Sequence, residues 1–316
     1  MNSITVLVTG AGGDIGISVA KCLKDSMPQA RLIGADCRSD TAAPAFFEKT
    51  ALLPIASDPG YLQKLQEVAH RERVDIMMPL SEAELSTLLA ADLIGGSVAD
   101  AKIISASRRV LEVGLDKFET YRRLRAANIA APETGLVGVD EPGDYSLIIK
   151  PRRGQGSKGI ERIARNEYGD CEATRRGDVW QRYISDEGGE YTCGVTRFPA
   201  QDTRVIVFRR TLCGGFTGSG DLVRLPTIDK ACRAIAEALD LRGAMNVQLR
   251  LENDLPMIFE INARFSSTVR FRHLLGFTDV VWSVQDRLGL PVGAYEPVEE
   301  GARILRVSDE IILPAN

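Results

Sequence analysis

The sequence predicts an α/β protein of two to three structural units, and three observations point to this class. The chain begins with alternating strand and helix patterns around a glycine-rich loop from Thr9 to Gly16. Two β-rich runs joined by a short polar turn, residues 246–264, indicate a hairpin near the other end. The length of 316 residues and a hydrophobic content of 44% provide enough apolar material for more than one core.

Composition excludes several functional classes. The formal net charge of -4 argues against a general nucleic-acid binder, which would carry a basic excess. The sequence lacks an apolar run long enough to cross a membrane and begins without a signal-peptide pattern. Six scattered cysteines without C-x-x-C spacing indicate reduced, mostly buried thiols, and two histidines exclude histidine-rich metal chemistry. We therefore expect a cytoplasmic protein with neither nucleic-acid nor membrane partners.

The first hundred residues predict a Rossmann-like domain. A buried parallel strand over residues 4–8 leads into the glycine loop and an amphipathic helix over 17–24. A second strand, 31–35, ends at Asp36, which lies where dinucleotide-binding proteins place the acidic residue that holds a ribose hydroxyl. One hypothesis is therefore an NAD(P)-binding oxidoreductase or cofactor sensor that uses this loop.

A missing catalytic pair weakens that hypothesis. Reductases with a similar glycine loop also need a Tyr-x-x-x-Lys pair, whereas Tyr61 is followed by Leu65 and Tyr121 by Arg125 at this spacing. The loop then either is structural or helps to bind another substrate. A third βα unit follows, with a helix predicted over 61–71, a strand over 74–78, and Glu82 and Glu84 after the strand.

The middle of the chain has the character of a phosphate-binding site. Asp116 is a plausible N-cap for a helix over 118–127. A strand over 146–150 ends in Lys150 and runs into a basic, glycine-rich loop, 152–159. Glycines allow backbone amides to approach phosphates closely, and the basic side chains supply charge. The structural alternative is a solvated basic hairpin tip.

Carboxylate and amide side chains alternate along the predicted C-terminal hairpin. Gln248, Glu260 and Asn262 can project to one face, because side chains alternate with a period of two. Such oxygens suit Mg²⁺ with bound phosphates, and Arg264 continues the face toward a phosphoryl group. The alternative is a surface hairpin with a polar outer face.

The order of these motifs resembles the ATP-grasp superfamily, particularly proteins like the carbamoyl-phosphate synthetase large subunit. A lysine before a helix, a lysine at a strand end, a glycine loop, a hinge, a glutamate and a Gln…Glu-x-Asn-x-Arg hairpin follow one another along nearly the whole chain. The resemblance implies a Rossmann-like pre-ATP-grasp domain over 1–110, a small lobe over 111–184, and a large lobe over 185–316. The large lobe is expected to end in a hairpin over 303–313.

The resemblance also implies a role for each motif residue. Lys117, Lys150 and the loop around Gly154, Gly156, Ser157 and Gly159 would contact the ATP phosphates. Gln181 would meet the adenine amino group, the Arg182 carbonyl and the Ile184 amide would complete the base contacts, and Glu190 would hold the ribose. Gln248, Glu260 and Asn262 would carry two Mg²⁺ ions, for which Mn²⁺ could substitute. Arg264 would steady the γ-phosphate, with Arg264 and Lys150 as the catalytic residues.

By the same resemblance, the expected function is an ADP-forming carboxylate–amine ligase that works through an acylphosphate. Its partners would be a small-molecule carboxylate and an amine that it joins in amino-acid, peptide or sugar-acid conjugation. A homodimer is compatible with this expectation. Substrate candidates after Arg264 are Ser267, Arg270 and Arg272, since an arginine can pair bidentately with a carboxylate. A loop that makes only structural salt bridges is the alternative reading.

Overall fold

The computed structural model describes residues 4–154, 156, 159–199, 203–308 and 310–313, which form three sheets and their helices. Ser157 of the predicted phosphate loop lies outside the described residues. The sheets follow one another along the chain in the order of the three predicted units, whose boundaries stay predictions. Within the described part of the chain, no helix is both long and apolar enough to cross a membrane.

The first sheet has six strands, in the order β3-β2-β1-β4-β6-β5, and is parallel except for the β5–β6 pair. Its strands are β1 (Thr5–Thr9), β2 (Arg31–Asp36), β3 (Lys49–Leu52), β4 (Ile76–Met78), β5 (Ser97–Val98) and β6 (Ala101–Ile103). The helices of this part are α1 (Asp14–Ser26), α2 (Tyr61–Arg71), α3 (Glu82–Ala90) and α4 (Arg108–Gly114). Every residue of β1 is buried, as expected for a strand covered on both faces.

The second sheet has four strands, in the order β7-β10-β8-β9. They are β7 (Thr134–Leu136), β8 (Leu147–Lys150), β9 (Glu161–Ile163) and β10 (Val179–Arg182), with the helices α5 (Lys117–Ala126) and α6 (Tyr168–Thr174). Leu147, Ile149 and Trp180 build the apolar core on one face. Because side chains alternate along a strand, Lys150 and Gln181 lie on the opposite face.

The third sheet has six strands, in the order β15-β14-β11-β12-β13-β16, and every pair is antiparallel. They are β11 (Glu190–Arg197), β12 (Arg204–Cys213), β13 (Phe216–Val223), β14 (Gly243–Glu252), β15 (Leu255–Asn262) and β16 (Arg303–Leu305). The remaining helices are α7 (Pro226–Ala238), α8 (Val269–Leu274) and α9 (Asp279–Leu288). Helix α7 shares an apolar core with one face of this sheet through Cys193, Val195 and Val247. The other face carries the polar residues of the predicted hairpin.

The predicted hairpin is β14 and β15, and its turn explains the local sequence. Asn253 and Asp254 have φ values of 50° and 62°. Asparagine and aspartate tolerate this left-handed region, and a turn with two such residues matches the twist of the flanking strands. The register then sets Gln248 opposite Glu260.

The expected C-terminal hairpin is wrong. One short strand, β16, pairs with β13 at the edge of the third sheet, and residues 306–308 and 310–313 form no strand. Among the described residues of the tail, Val307 is 83% exposed and Ile312 is 96% exposed, so these side chains pack against little of the protein. The tail still contacts the large sheet, because the Arg306 amide donates to the Gly218 carbonyl at 2.8 Å.

Candidate active site

A cleft of about 480 Å³ lies between the second and third sheets, where the predicted motifs converge. Nine predicted residues line it: Lys117, Lys150, Gly154, Gly156, Gln248, Glu260, Asn262, Arg264 and Ser267. The lining also includes Asp14 and Ile15 from the start of α1, so the first domain closes one side of the cleft. The structure thus brings together motifs that are up to 253 positions apart, from Asp14 to Ser267.

The start of α5 anchors the phosphate loop. Asp116 accepts hydrogen bonds from the first amides of the helix, including that of Phe118 at 3.1 Å, and confirms the predicted N-cap. Arg152 Nε donates to both oxygens of the same carboxylate at 2.9 Å. Burial alone would raise the pKa of Asp116, but the bonds from Arg152 and the helix amides outweigh it and lower the pKa. Lys117 Nζ in turn donates to the Gly154 carbonyl at 2.8 Å.

The loop itself needs its glycines for backbone reasons. Gly154 and Gly156 have φ values of 108° and 81°, a region that side-chain-bearing residues rarely adopt. Gly159 ends the loop, and its carbonyl accepts from Arg175 Nη2 at 2.7 Å. Each end of the loop is therefore held by a basic side chain, Gly154 by Lys117 and Gly159 by Arg175.

Lys150 is the most deeply buried cation of the cleft, with 4% of its surface exposed. Its Nζ donates to Gln181 Oε1 at 2.9 Å and to the Phe259 carbonyl at 3.2 Å. Burial lowers the pKa of Lys150 to about 8, and the nearby Glu260 opposes this shift. Gln181 Nε2 donates to Thr134 Oγ1 at 2.9 Å, so both ends of the Gln181 side chain have partners within the protein. In this structure Gln181 positions Lys150, and its contact with adenine stays a prediction.

Two arginines hold the segment that joins β10 to β11, residues 182–190, which corresponds to the predicted hinge. Arg182 makes a forked pair with Glu252 at 2.7 and 2.6 Å. Arg250 Nη1 donates to the Ile184 carbonyl at 2.6 Å, and its Nε donates to Glu190 Oε2 at 2.9 Å. Arg182, Ile184 and Glu190 thus lie along the hinge rather than in the lining of the cleft. Their predicted contacts with the base and ribose stay predictions.

The predicted metal-binding hairpin presents its residues in register. Gln248 faces Glu260 across the strands, and Asn246 faces Asn262. Gln248 Oε1 accepts a hydrogen bond from Arg210 Nη2 at 2.9 Å. No three His, Cys, Asp or Glu side chains come together as a metal site within the described ranges. Glu260 and Asn262 offer one carboxylate and one amide oxygen in the cleft that Lys117 and Lys150 also line.

Arg264 meets a carboxylate from the first domain. Its Nη2 lies 3.5 Å from Glu82 Oε1, and the two side chains are only 10% and 12% exposed. Burial raises the pKa of Glu82, while Arg264 and Lys117 oppose the rise and Glu260 adds to it. These four charges are close enough to act on one another, so the first domain contributes to the electrostatics of the cleft.

Arg270 and Arg272 do not line the cleft, which corrects the expectation that they bind substrate there. Arg270 Nη1 reaches outward to Asp25 of α1 at 2.5 Å. Arg272 is fully buried and pairs with Asp279 at 2.7 Å. Carboxylates outside the cleft hold both guanidinium groups, that of Arg270 from α1 and that of Arg272 from the start of α9. The structural salt-bridge alternative accounts for both side chains.

Side chains of the protein fill the space beside the first glycine loop, where one hypothesis places a dinucleotide. The Gly12 amide donates to Asp36 Oδ2 at 2.9 Å, so the carboxylate expected to hold a ribose is bound to the loop. Thr41 lies so close to Gly12 that an added Cβ would be 2.4 Å from its Cγ2. This geometry favours the structural reading of the loop over the dinucleotide site.

Sequence reasoning missed two parts of the cleft. Arg210, on β12, lies on the polar face of the third sheet, and four residues at the junction of β12 and β13 form one wall: Leu212, Gly214, Gly215 and Phe216. Neither has a local signal, because an arginine in an alternating strand is usually a solvated surface residue. Only the pairing of β11 with β12 brings Arg210 to the predicted Glu190.

Comparisons with known proteins agree with this geometry. Residues 115–268 match the sequence profile of the ATP-grasp domain, and residues 6–93 match that of the PylC-like N-terminal domain. Residues 115–268 are therefore an ATP-grasp domain, preceded by a PylC-like N-terminal domain. The narrower resemblance to carbamoyl-phosphate synthetase is looser than this assignment. A search of curated proteins finds no match.

Solved structures share the fold of this chain at low sequence identity. N5-carboxyaminoimidazole synthetase from Staphylococcus aureus is 14% identical, with a TM-score of 0.72 over 93% of this chain and 81% of that chain. An L-amino acid ligase from Bacillus licheniformis is 17% identical, with a TM-score of 0.70 over 95% and 76%. A biotin carboxylase from Campylobacter jejuni, solved as a β-γ-ATP complex, is 13% identical, with a TM-score of 0.72 over 95% and 74%.

Proposed function

We propose that the protein is an ADP-forming ligase that uses ATP and Mg²⁺ to activate a carboxylate as an acylphosphate, which an amine then captures. The observation that carries this proposal is the single cleft that joins the phosphate loop, the two lysines and the polar hairpin. Cationic groups placed around a transferring phosphoryl group stabilise the charge that shifts in the transition state. The fold shared with ATP-grasp ligases supports the same reaction class.

The two lysines would act on the phosphates from different sides. Lys117 is tied to the loop through Gly154, so it would move with the loop as the loop covers the nucleotide. Lys150 is fixed at the base of the cleft by Gln181 and the Phe259 carbonyl, and it would supply a charge that needs little reorganisation. Arg264, held near Glu82, would steady the γ-phosphate.

The residues present fit a divalent ion at the end of the hairpin. Glu260 and Asn262 supply hard oxygen donors of the type that Mg²⁺ prefers, and both line the cleft. A bound Mg²⁺ would neutralise phosphate charge and orient the phosphates. The closed loop would keep water from the acylphosphate.

The substrate class follows less directly from the structure. Ser266 and Ser267 line the cleft past Arg264, and Asp14 with Ile15 faces them from α1. We favour amino-acid, peptide or sugar-acid conjugation, and the likeness to an L-amino acid ligase supports this choice. The cytoplasmic location and a homodimer stay predictions.

Hydroxylamine trapping tests the proposal. The wild-type protein, incubated with ATP, Mg²⁺, hydroxylamine and pooled amino acids or sugar acids, should form a hydroxamate and release ADP and phosphate. Glu260→Gln should lose this activity and keep its melting temperature, because the change leaves no core cavity. Glu299→Gln, on the exposed surface, is the matched control and should retain activity. Formation of AMP and pyrophosphate instead would contradict the acylphosphate route.

A further inference from the structure

A buried arginine, Arg210, lies beside the predicted metal ligand Gln248, and the sequence alone did not indicate this contact. Arg210 lies on β12 with its side chain 8% exposed, beside Glu190 at 11%. Its Nε and Nη2 donate to Glu190 Oε1 at 2.9 and 2.6 Å, and Nη2 also donates to Gln248 Oε1 at 2.9 Å. Arg250 holds the other oxygen of Glu190, with Nε to Oε2 at 2.9 Å. The guanidinium is therefore fixed on the polar face of the third sheet, in the lining of the cleft.

The same contacts fix the orientation of the Gln248 amide. A guanidinium has donors only, so Gln248 must present its oxygen to Arg210. Its nitrogen then lies 3.4 Å from Asn246 Oδ1. Asn246 Nδ2 donates to Thr192 Oγ1 and to the Cys193 carbonyl, both at 2.9 Å, which fixes the orientation of Asn246 as well. Turning the Gln248 amide over would bring its NH₂ group against the guanidinium and break this series of bonds.

A divalent ion on Gln248 Oε1 would therefore sit beside a permanent positive charge. The neutral amide cannot offset the repulsion between the two cations, whereas a carboxylate at position 248 could. The carboxylate of Glu190 beside Arg210 already pairs with both Arg210 and Arg250. Gln248 thus does not fit the role of ligand to a second Mg²⁺, although Glu260 and Asn262 fit the role for one ion.

We propose that Arg210 replaces the second divalent ion: the cleft binds one Mg²⁺ through Glu260 and Asn262, and the guanidinium serves as the fixed second cation toward the phosphates. This inference rests on the proposed ATP site. Arg210 suits the role because its charge is present at any physiological pH. Its bonds to Glu190 and Gln248 use Nε and Nη2, so, among the contacts of the described residues, the two N–H groups of Nη1 are left for phosphate oxygens.

The number of Mn²⁺ ions in the nucleotide complex tests the proposal. Electron paramagnetic resonance measures free Mn²⁺ during titration of the protein saturated with β,γ-methylene ATP. The wild-type protein should bind one Mn²⁺ per chain. The double variant Gln248→Glu/Arg210→Met, which supplies a carboxylate and removes the guanidinium, should bind two. Arg209→Met makes the same charge change at the exposed neighbouring position and should bind one, as the wild type does.

Two Mn²⁺ ions per wild-type chain would overturn this inference and leave the proposed function standing. A folded double variant that still binds one ion would also overturn it. Circular dichroism and thermal melting establish whether the variants fold, and the wild-type count decides the proposal even where the double variant does not. Failure of the wild-type chain to bind the analogue at all would overturn both the proposed function and the inference.

Discussion

Nucleotide binding should depend on pH through Lys150. Burial lowers the pKa of this lysine to about 8. Lys150 is the last residue of β8, and its side chain lines the cleft. Phosphate groups that bind beside it favour the charged form and raise its pKa again. Binding above pH 8 therefore requires the uptake of a proton, and the affinity must fall as the pH rises.

The size of the effect follows from the protonated fraction. With a pKa of about 8 in the free protein, Lys150 is about nine-tenths charged at pH 7 and about one-tenth charged at pH 9. The dissociation constant for Mg-ADP should then increase about tenfold between these pH values, which corresponds to about 1.4 kcal/mol. Desolvation sets the direction of the pKa shift, which Glu260 opposes and Lys117 reinforces.

Isothermal titration calorimetry with Mg-ADP at pH 7, 8 and 9 measures this dependence. Lys150→Arg is the matched control, because arginine keeps its charge throughout this range and should give a nearly constant dissociation constant. A wild-type dissociation constant that stays constant from pH 7 to 9 would refute the reasoning. The same slope in Lys150→Arg would assign the pH dependence to a group other than Lys150.

Three further predictions concern stability and the phosphate loop. Arg272→Met should lower the free energy of unfolding by about 3–5 kcal/mol in urea titrations, since it removes the buried partner of Asp279. A loss below about 1 kcal/mol together with a raised KM for the carboxylate substrate would restore Arg272 as a binding residue. Asp116→Ala should lower the free energy of unfolding by about 1–2 kcal/mol and weaken ATP binding severalfold, because it removes the N-cap of α5 and the carboxylate that holds Arg152. Asp170→Ala on α6 is the control, and equal losses of stability and ATP affinity in both variants would argue against this role of Asp116. The stability of the wild type relative to a Lys150→Met variant should rise between about pH 8 and 10.5, where the unfolded chain still holds the proton that folded Lys150 has lost. A difference in the free energy of unfolding between the two proteins that stays constant over this range would contradict the assignment.

Local patterns in the sequence were sufficient for several elements. Helix α2 begins at Tyr61 and ends at Arg71 as predicted, because Tyr61, Leu65, Val68 and Ala69 form one buried stripe. The Asp116 cap and the Asn253–Asp254 turn were likewise readable, since each depends on residues that are close in sequence. The order of motifs then predicted the superfamily and nine of the residues that line the cleft.

Contacts between segments that are distant in the sequence could not be predicted from local patterns. Arg210 meets Gln248 across 38 positions only because β11 lies between β12 and β14 and projects Glu190 to the same face. Glu82 was noted after its strand, but its pairing with Arg264 depends on how the first domain rests against the third sheet. Arg270 and Arg272 were misplaced because α8 has only six residues, too few for a periodic pattern that would separate its faces.

Oxygen-18 transfer tests the central claim most directly. The protein is incubated with ATP, Mg²⁺ and pooled amine and carboxylate substrates whose carboxyl groups carry oxygen-18, and the phosphorus products are analysed by nuclear magnetic resonance and mass spectrometry. An acylphosphate intermediate predicts ADP together with inorganic phosphate that carries one oxygen-18 atom. Label in AMP, with release of pyrophosphate, would contradict the account.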